Sequence, residues 1–548
     1  MHLPVTPFER KNPAVNYFIP LPALFLLLVL NSSVHAQNYS IPWQYSFGGS
    51  NDEVCYRMQQ TADSGYMCVG LTWSQDGDVS DALYIRQALL IKFDKAGNLQ
   101  WEKTYGGSET DHSFYTEQTH DHGYIMAMES QSDDGDVPVN YGWQDLVVFK
   151  LDEGGNIVWT RVIGGSLHDH PCCIRQIADG YIFAGASLSN DGDVSGHHGS
   201  SQYFDIWVVK MDTSGNIIWS KSIGGSLTEF ARYIQPTPDG GYVLTGESYS
   251  NDGDISGHHG TSETSDMVVI KIDGGGNVVW QKCFGGSGND IGHDLVLTPD
   301  GGIMVIGATE SSDGDVTYIH GSYDYWMVKL DSAGNLMWQK TLGGSQSDYS
   351  RSIQISKEGG FVIGGETSSN DGDVGDNKGI SDFWLVRTDS LGNILWSTTL
   401  GGSAIDDGNA FTQIADGNYV VAGTFDSDDG DVLSHHGTTD YSDVWVAKVV
   451  EGTEEGIQET NPVSLPFTVF PNPADASTTI YFTMDNNNGV QLQLLNSESQ
   501  VIESRRYDVT KSGKQNIELS TSSLAPGIYF VRLISGDAIS QKLFVVAR

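Results

Sequence analysis

Cysteine is scarce in this chain, basic residues are outnumbered, and no long apolar run follows Leu30. Five cysteines (Cys55, Cys68, Cys172, Cys173 and Cys283) cannot all pair within one chain, which excludes a dense disulfide framework. No Cys-x-x-Cys or Cys/His spacing of a zinc module occurs. Cys172 and Cys173 are adjacent, so on a strand they face opposite sides. Cys55 and Cys68 fall on two strands expected to be neighbours, which leaves room for one disulfide. Lys and Arg total 29 against 70 Asp and Glu, a net charge of −41. Such a surface repels nucleic acid and anionic membranes, so neither is expected as a partner. It suits cations, or it simply keeps an exported protein in solution. The nucleophile elbow, metalloprotease helix, phosphate loop and dinucleotide fingerprint are all missing, and nothing singles out a catalytic set. Helical periodicity is missing too.

What is present is repetition. Gly-Gly-Ser begins at Gly48, Gly106, Gly164, Gly224, Gly285, Gly343 and Gly401, a spacing of 58 to 61 residues. A Gly-Asn-x-x-Trp unit ends at Trp101, Trp159, Trp219, Trp280, Trp338 and Trp396. Seven copies of one unit set the architecture. One copy holds four short apolar strands, for example around Phe230–Gln235, Tyr242–Gly246, Met267–Ile272 and Trp280, joined by Gly-rich turns. Runs such as Val-Val-Ile-Lys-Ile are apolar on both faces, as strands covered on both sides are. Stacked four-stranded blades meet that need and leave only short edges. The predicted fold is all-β: a seven-bladed propeller over residues 38–450. The array opens with a Trp strand around Trp43 and ends with an Asp-led strand, Asp443–Val449, whose Trp strand is missing. The N-terminal strand is therefore expected to complete the last blade.

Three other segments flank the array. Arg10 and Lys11, the apolar run Ala23–Leu30 and Val34-His35-Ala36 have the layout of a secretory signal peptide over 1–36. The run is too short to span a bilayer, and no later one reaches about 18 residues. Residues 451–466 are polar with a terminal Pro, as a linker is. Residues 467–548 alternate like a small β-sandwich.

Two sets of carboxylates recur. Asp-Gly-Asp occurs in every copy: Asp76/Asp78, Asp134/Asp136, Asp191/Asp193, Asp252/Asp254, Asp313/Asp315, Asp371/Asp373 and Asp429/Asp431. Carboxylates flanking a Gly, with Ser, Asn and backbone oxygens, suit calcium; the same residues also make Asx turns. The second set follows each Gly-Gly-Ser: Glu53, Asp111, Asp169, Glu229, Asp290, Asp348 and Asp406. It predicts an acidic ring near one channel mouth, as a cation or polar-ligand funnel or as caps for loop N–H groups. His-Gly recurs at His198, His259, His320 and His436, in different blades, so their convergence on one zinc ion is not expected.

The repeat resembles kelch-type propeller repeats in outline. It is closer to the roughly 60-residue propeller repeats with a Ser-x-Asp-Gly-Asp loop found in exported proteins of Bacteroidota. Pro471-Asn472-Pro473, Pro526-Gly527-Ile528-Tyr529 and the basic ending resemble the type A C-terminal sorting domain of the type IX secretion system. That resemblance implies the secretion machinery as a partner through residues 467–548, and a secreted or outer-membrane-surface destination. The expected function is a binding or adhesion module for glycan, protein or another extracellular polymer, with calcium as the candidate cofactor. The rivals are a polysaccharide lyase or glycosidase, which needs an acid/base pair that breaks the sevenfold pattern, and a structural surface protein.

Overall fold

A computed structural model describes residues 39–80, 82, 86–436 and 441–452, and 467–470, 474, 476–484, 489–496, 501–507, 513–535 and 538–547 of the C-terminal part. The signal-peptide stretch, most of the linker and Pro471-Asn472-Pro473 lie outside them. Chain contacts divide the protein between Glu451 and Gly452 into two units.

The first unit consists of seven antiparallel four-stranded sheets. Six are built from consecutive strands. The seventh pairs Asp406–Gln413, Tyr419–Phe425 and Asp443–Glu451 with Tyr39–Phe47 from the start of the chain. We number the blades I to VII by their first strands: Glu53–Gln60, Asp111–Gln118, Asp169–Ile177, Glu229–Pro236, Asp290–Leu297, Asp348–Ile355 and Asp406–Gln413. The register of the closing strand repeats that of the other blades. Trp43 lies opposite Lys448 as Trp219 lies opposite Lys210 and Trp280 opposite Lys271.

Between blades the packing is apolar. Met67, Val69 and Leu90 of blade I share a core with Tyr124, Met126 and Phe149 of blade II. At the outer edge the recurring motif explains itself. Asp212 Oδ1 accepts hydrogen bonds from the N–H groups of Ser214 and Asn216, which closes the hairpin. Gly215 takes φ +78°, and a Cβ there would lie 2.9 Å from the Trp159 ring of the preceding blade. Trp101, Trp159, Trp219, Trp280 and Trp338 thus rest on the next blade's hairpin glycine, and Trp43 does the same over Gly97. Trp396, which has no such hairpin beside it, is buried and stacks on Tyr419.

Cys55 and Cys68 are both buried free thiols that hydrogen-bond each other, so no disulfide joins their neighbouring strands. Cys172 faces the channel while Cys173 enters the core.

The second unit is a β-sandwich. One sheet holds Phe467–Phe470, Ser477–Met484 and Gly513–Ser520; the other holds Val490–Leu495, Val501–Tyr507, Gly527–Ser535 and Ala538–Val546. Ile480, Phe482, Leu492, Leu494, Val531, Leu533 and Phe544 form its core. No described helix is long and apolar enough to cross a membrane.

Candidate binding site at the channel mouth

The recurring carboxylates serve the fold. Glu53, Asp111, Asp169, Glu229, Asp290, Asp348 and Asp406 do recur once per blade, but none faces a channel mouth: all seven are 0% exposed. Each accepts a hydrogen bond from the second glycine of its own Gly-Gly-Ser at 2.6–2.8 Å. Ser or Thr hydroxyls from the neighbouring strand and loop add further bonds, such as Ser248 Oγ to Glu229 Oε1 at 2.8 Å. A turn with several orphan N–H groups draws a carboxylate inward, and that is why these side chains leave the channel. Burial pushes Glu53 and Glu229 up to about 7 and Asp169, Asp290 and Asp348 up to about 6, against the lowering effect of those bonds.

The Asp-Gly-Asp loops tie each blade to its Gly-Gly-Ser turn. The first carboxylate (Asp76, Asp134, Asp191, Asp252, Asp313, Asp371, Asp429) accepts the serine N–H at 2.6–2.8 Å. The second residue (Asp78, Asp136, Asp193, Asp254, Asp315, Asp373, Asp431) donates its own N–H to the first glycine's carbonyl at 2.8–3.0 Å. The recurring histidines bridge blades. His198 lies 2.8 Å from buried Asp205 through Nδ1 and 3.6 Å from Asp254 of blade IV through Nε2. His259 does the same toward Asp266 and Asp315, and His436 toward Asp443 and Asp78. In this geometry the loops act as turns and latches. Asp252→Ala is therefore expected to cost about 1 kcal/mol, the loss of one capped turn. The loss, read as Tm, should be equal in EDTA and in millimolar calcium. A calcium-dependent loss would return these loops to metal binding.

Where the copies differ is the channel. The first strand of each blade is innermost, and its side chains meet across the axis. Arg57 Nη1 lies 3.4 Å from Asp294 Oδ2 and donates to the Arg351 carbonyl at 3.2 Å. Arg175 donates to Glu117 at 3.1 Å, and the Arg57 and Arg175 guanidiniums stand over the Tyr233 ring. This layer of arginines and tyrosines closes the channel midway. Above it, on the face that carries the Gly-Gly-Ser and Asp-Gly-Asp loops, lies a well of about 140 Å3. Tyr56, Arg57, Phe114, His170, Cys172, Arg232, His293, Arg351 and Asn409 line it, with every blade contributing. Arg232 stands over the Phe230 ring and donates to Glu247 at 2.6 Å; Arg351 stands over Tyr349 and donates to Glu366 at 2.9 Å. The Nε atoms of both arginines are buried without an acceptor. Burial, reinforced by Arg351 and Arg232, holds His293 well below its ordinary range, so it is neutral. A larger recess of about 470 Å3 opens at the outer edge between blades I and II, but Lys103 and Glu102 there are already bonded to Asn156 and Ser80.

Two acid/base groupings break the sevenfold pattern at this mouth. Glu129 takes His112 Nε2 at 2.8 Å on one oxygen and His170 Nδ1 at 2.5 Å on the other. Although burial opposes it, these histidines hold Glu129 far below the carboxylate range. Burial likewise opposes protonation of His170, but Cys172 and Glu129 beside it raise it to about 10. On the far side, Asp407 hydrogen-bonds Glu366, and burial together with that neighbour pushes Asp407 up to about 7. None of these residues stands out from composition or motif. The signal that finds them is the register: opposite His112 stands Glu129, where the other blades carry Leu71, Ala186, Glu247, Ala308, Glu366 and Thr424.

Residues 468–547 match the family of secretion system C-terminal sorting domains. Over 228 residues, 38% of this chain, the protein is 24% identical to the regulatory protein FlaEY of Caulobacter vibrioides; the match spans 23% of that protein's length. Among solved structures it is similar to PorZ, a bacterial surface component of the type-IX secretion system of Porphyromonas gingivalis. That likeness has 10% identity and a TM-score of 0.22, covering 92% of this chain and all of PorZ. An apocarotenoid oxygenase of Synechocystis is similar at 11% identity and a TM-score of 0.29, over 54% of this chain and 63% of its own.

Proposed function

We propose that the protein is an exported binding module, carried to the cell surface or the medium by its C-terminal sorting module, and that its ligand is an acidic extracellular glycan held at the channel mouth. One observation carries this reading. In a chain of net charge −41, the well is lined by three arginines, two of which keep a buried Nε–H without an acceptor. A buried donor left unmet costs about 1–3 kcal/mol, and a carboxylate or sulfate ester would meet it. The acidic exterior does not defeat such binding at physiological salt, because it is screened beyond about 8 Å. Of the two repeat-breaking groupings, Glu366 and Asp407 are in hydrogen-bond contact, closer than the roughly 5 Å that separates the carboxyls of a retaining glycosidase. A lectin-like role therefore fits better than hydrolysis.

The test is calorimetric titration of the full chain against uronate-bearing, sulfated and neutral polysaccharides. Binding is expected for the acidic ones alone, with a loss of tenfold or more in Arg232→Gln/Arg351→Gln. Absence of binding across the panel, or unchanged affinity in the double variant, overturns the proposal.

A further inference from the structure

We infer that Glu129, His168 and His170 form a binding site for a first-row transition-metal ion of the zinc class, opening on the channel mouth. Their ligand atoms all lie within 4.8 Å of one another, and among the described residues they are the group of three that does so. Two imidazoles and one carboxylate are a donor set zinc takes, with a further position left for water or ligand. The three come from two blades: Glu129 is next to last in the second strand of blade II, Tyr124–Ser130, while His168 and His170 flank buried Asp169 at the start of blade III. A parallel bridge from Gln144 to His168 fixes the backbone between them.

The bonding is one partner short. Glu129 Oε2 receives His170 Nδ1 at 2.5 Å, yet His168 Nε2 also points at that oxygen from 3.8 Å. That ring nitrogen is buried and has no hydrogen-bond partner. A cation between the three atoms, each about 2.0–2.2 Å away, would satisfy it after small side-chain rotations. The surroundings are those of a supported centre. His112 holds the other carboxylate oxygen at 2.8 Å, fixing the orientation of Glu129. Phe204 packs edge-on to His168, and Phe114 packs edge-on to His170, limiting rotation of both rings.

The repeat shows that the set is specific. At the position of His168 the other blades carry Asp52, Thr110, Thr228, Asn289, Ser347 and Ile405. At that of His170 they carry Val54, His112, Phe230, Ile291, Tyr349 and Asp407. His168 has no histidine counterpart in the other copies; Glu129 recurs as Glu247 and Glu366 and His170 as His112, and among the described residues it is between blades II and III that two imidazoles and a carboxylate meet.

The probe is metal alone, added to tag-free full-length protein. Zinc content after dialysis is expected to reach one equivalent, and cobalt should give the visible absorption of a low-coordinate site. His168→Asn and His170→Asn should each abolish the cobalt spectrum, and Glu129→Gln should weaken zinc 10–100-fold. His259→Asn, at the latch histidine of blade IV, is the control and should retain both. Circular dichroism separates loss of metal from loss of fold, and Glu129→Gln keeps the shape should a histidine variant misfold. Failure to retain zinc, or equal retention in Glu129→Gln and the parent, overturns the site.

Discussion

Removing Tyr39–Phe47 is expected to abolish the cooperative unfolding of the propeller. The strand supplies the outer quarter of blade VII, pairing from Tyr39 opposite Glu451 to Phe47 opposite Val444. Phe47 is fully buried in a core that joins Val444 and Val446 of blade VII to Leu89 and Ile91 of blade I. Without the strand, Asp443–Glu451 becomes a bare edge, and the first and last blades lose the packing that closes the ring. The single change Phe47→Ala should cost about 3–5 kcal/mol by the cavity it leaves. Trp43→Ala, at the half-buried outer edge over Gly97, should cost less. Restoring the nine residues behind Glu451, through an Asp-Thr-Ser-Gly-Asn hairpin like that at Asp212, should restore the transition. The register Trp43 opposite Lys448 is the one such a hairpin makes in the other blades. Calorimetry of the deletion, Phe47→Ala and the relocated strand tests this. A deletion that unfolds at the parent Tm would mean that the ring stands open without cost.

Fold and site were not equally legible in the sequence. Seven Gly-Gly-Ser copies, four apolar runs per copy and an unpaired Trp strand at one end suffice for a closed propeller, because each is a demand of backbone geometry that every blade repeats. The carboxylates after Gly-Gly-Ser were legible as a set but not in direction. Sequence spacing cannot distinguish a side chain aimed down the channel from one turned back onto its own loop, and the unsatisfied N–H groups of that loop decided for the latter. The site is the reverse case. Arg232, Arg351, His168, His170 and Glu129 occupy positions where the copies disagree, so a search for recurrence passes over them. They come together only when seven inner strands converge on one axis.

The carboxylates after Gly-Gly-Ser, with Asp145 and Asp382 at the start of third strands, give the second large effect, on pH. A carboxyl whose pKa is higher folded than unfolded binds more protons in the native state between those two values. Its contribution to stability is complete below the unfolded pKa, about 4, and is lost as pH rises through the folded one. Glu53, Glu229 and Asp382 at about 7, and Asp145, Asp169, Asp290 and Asp348 at about 6, are such groups, all raised first by burial. The propeller should therefore be most stable near pH 5 and lose stability steadily to pH 8, by about 5–10 °C in Tm. Glu129 acts in the opposite sense, since its lowered pKa adds stability that disappears as pH falls.

Asp382 isolates the effect. Its Oδ2 accepts the Lys378 N–H at 2.7 Å, while its Oδ1 is buried without a partner, beside the same glycine as Asp406 Oδ2. The corresponding oxygens of Asp145, Asp205, Asp266, Asp324 and Asp443 are unpartnered in the same way. Asp382→Asn keeps the acceptor toward Lys378 and places an N–H donor toward the Asp406 carboxylate. At pH 8 it should raise Tm by about 1–3 °C, because a buried charge and its repulsion are removed. At pH 5, where Asp382 is already protonated, Tm should not move. Loss of stability at pH 8 would mean that Asp382 is held ionised by a cation between the two carboxylates, and each junction built this way would then be a metal site instead of a reservoir of protons.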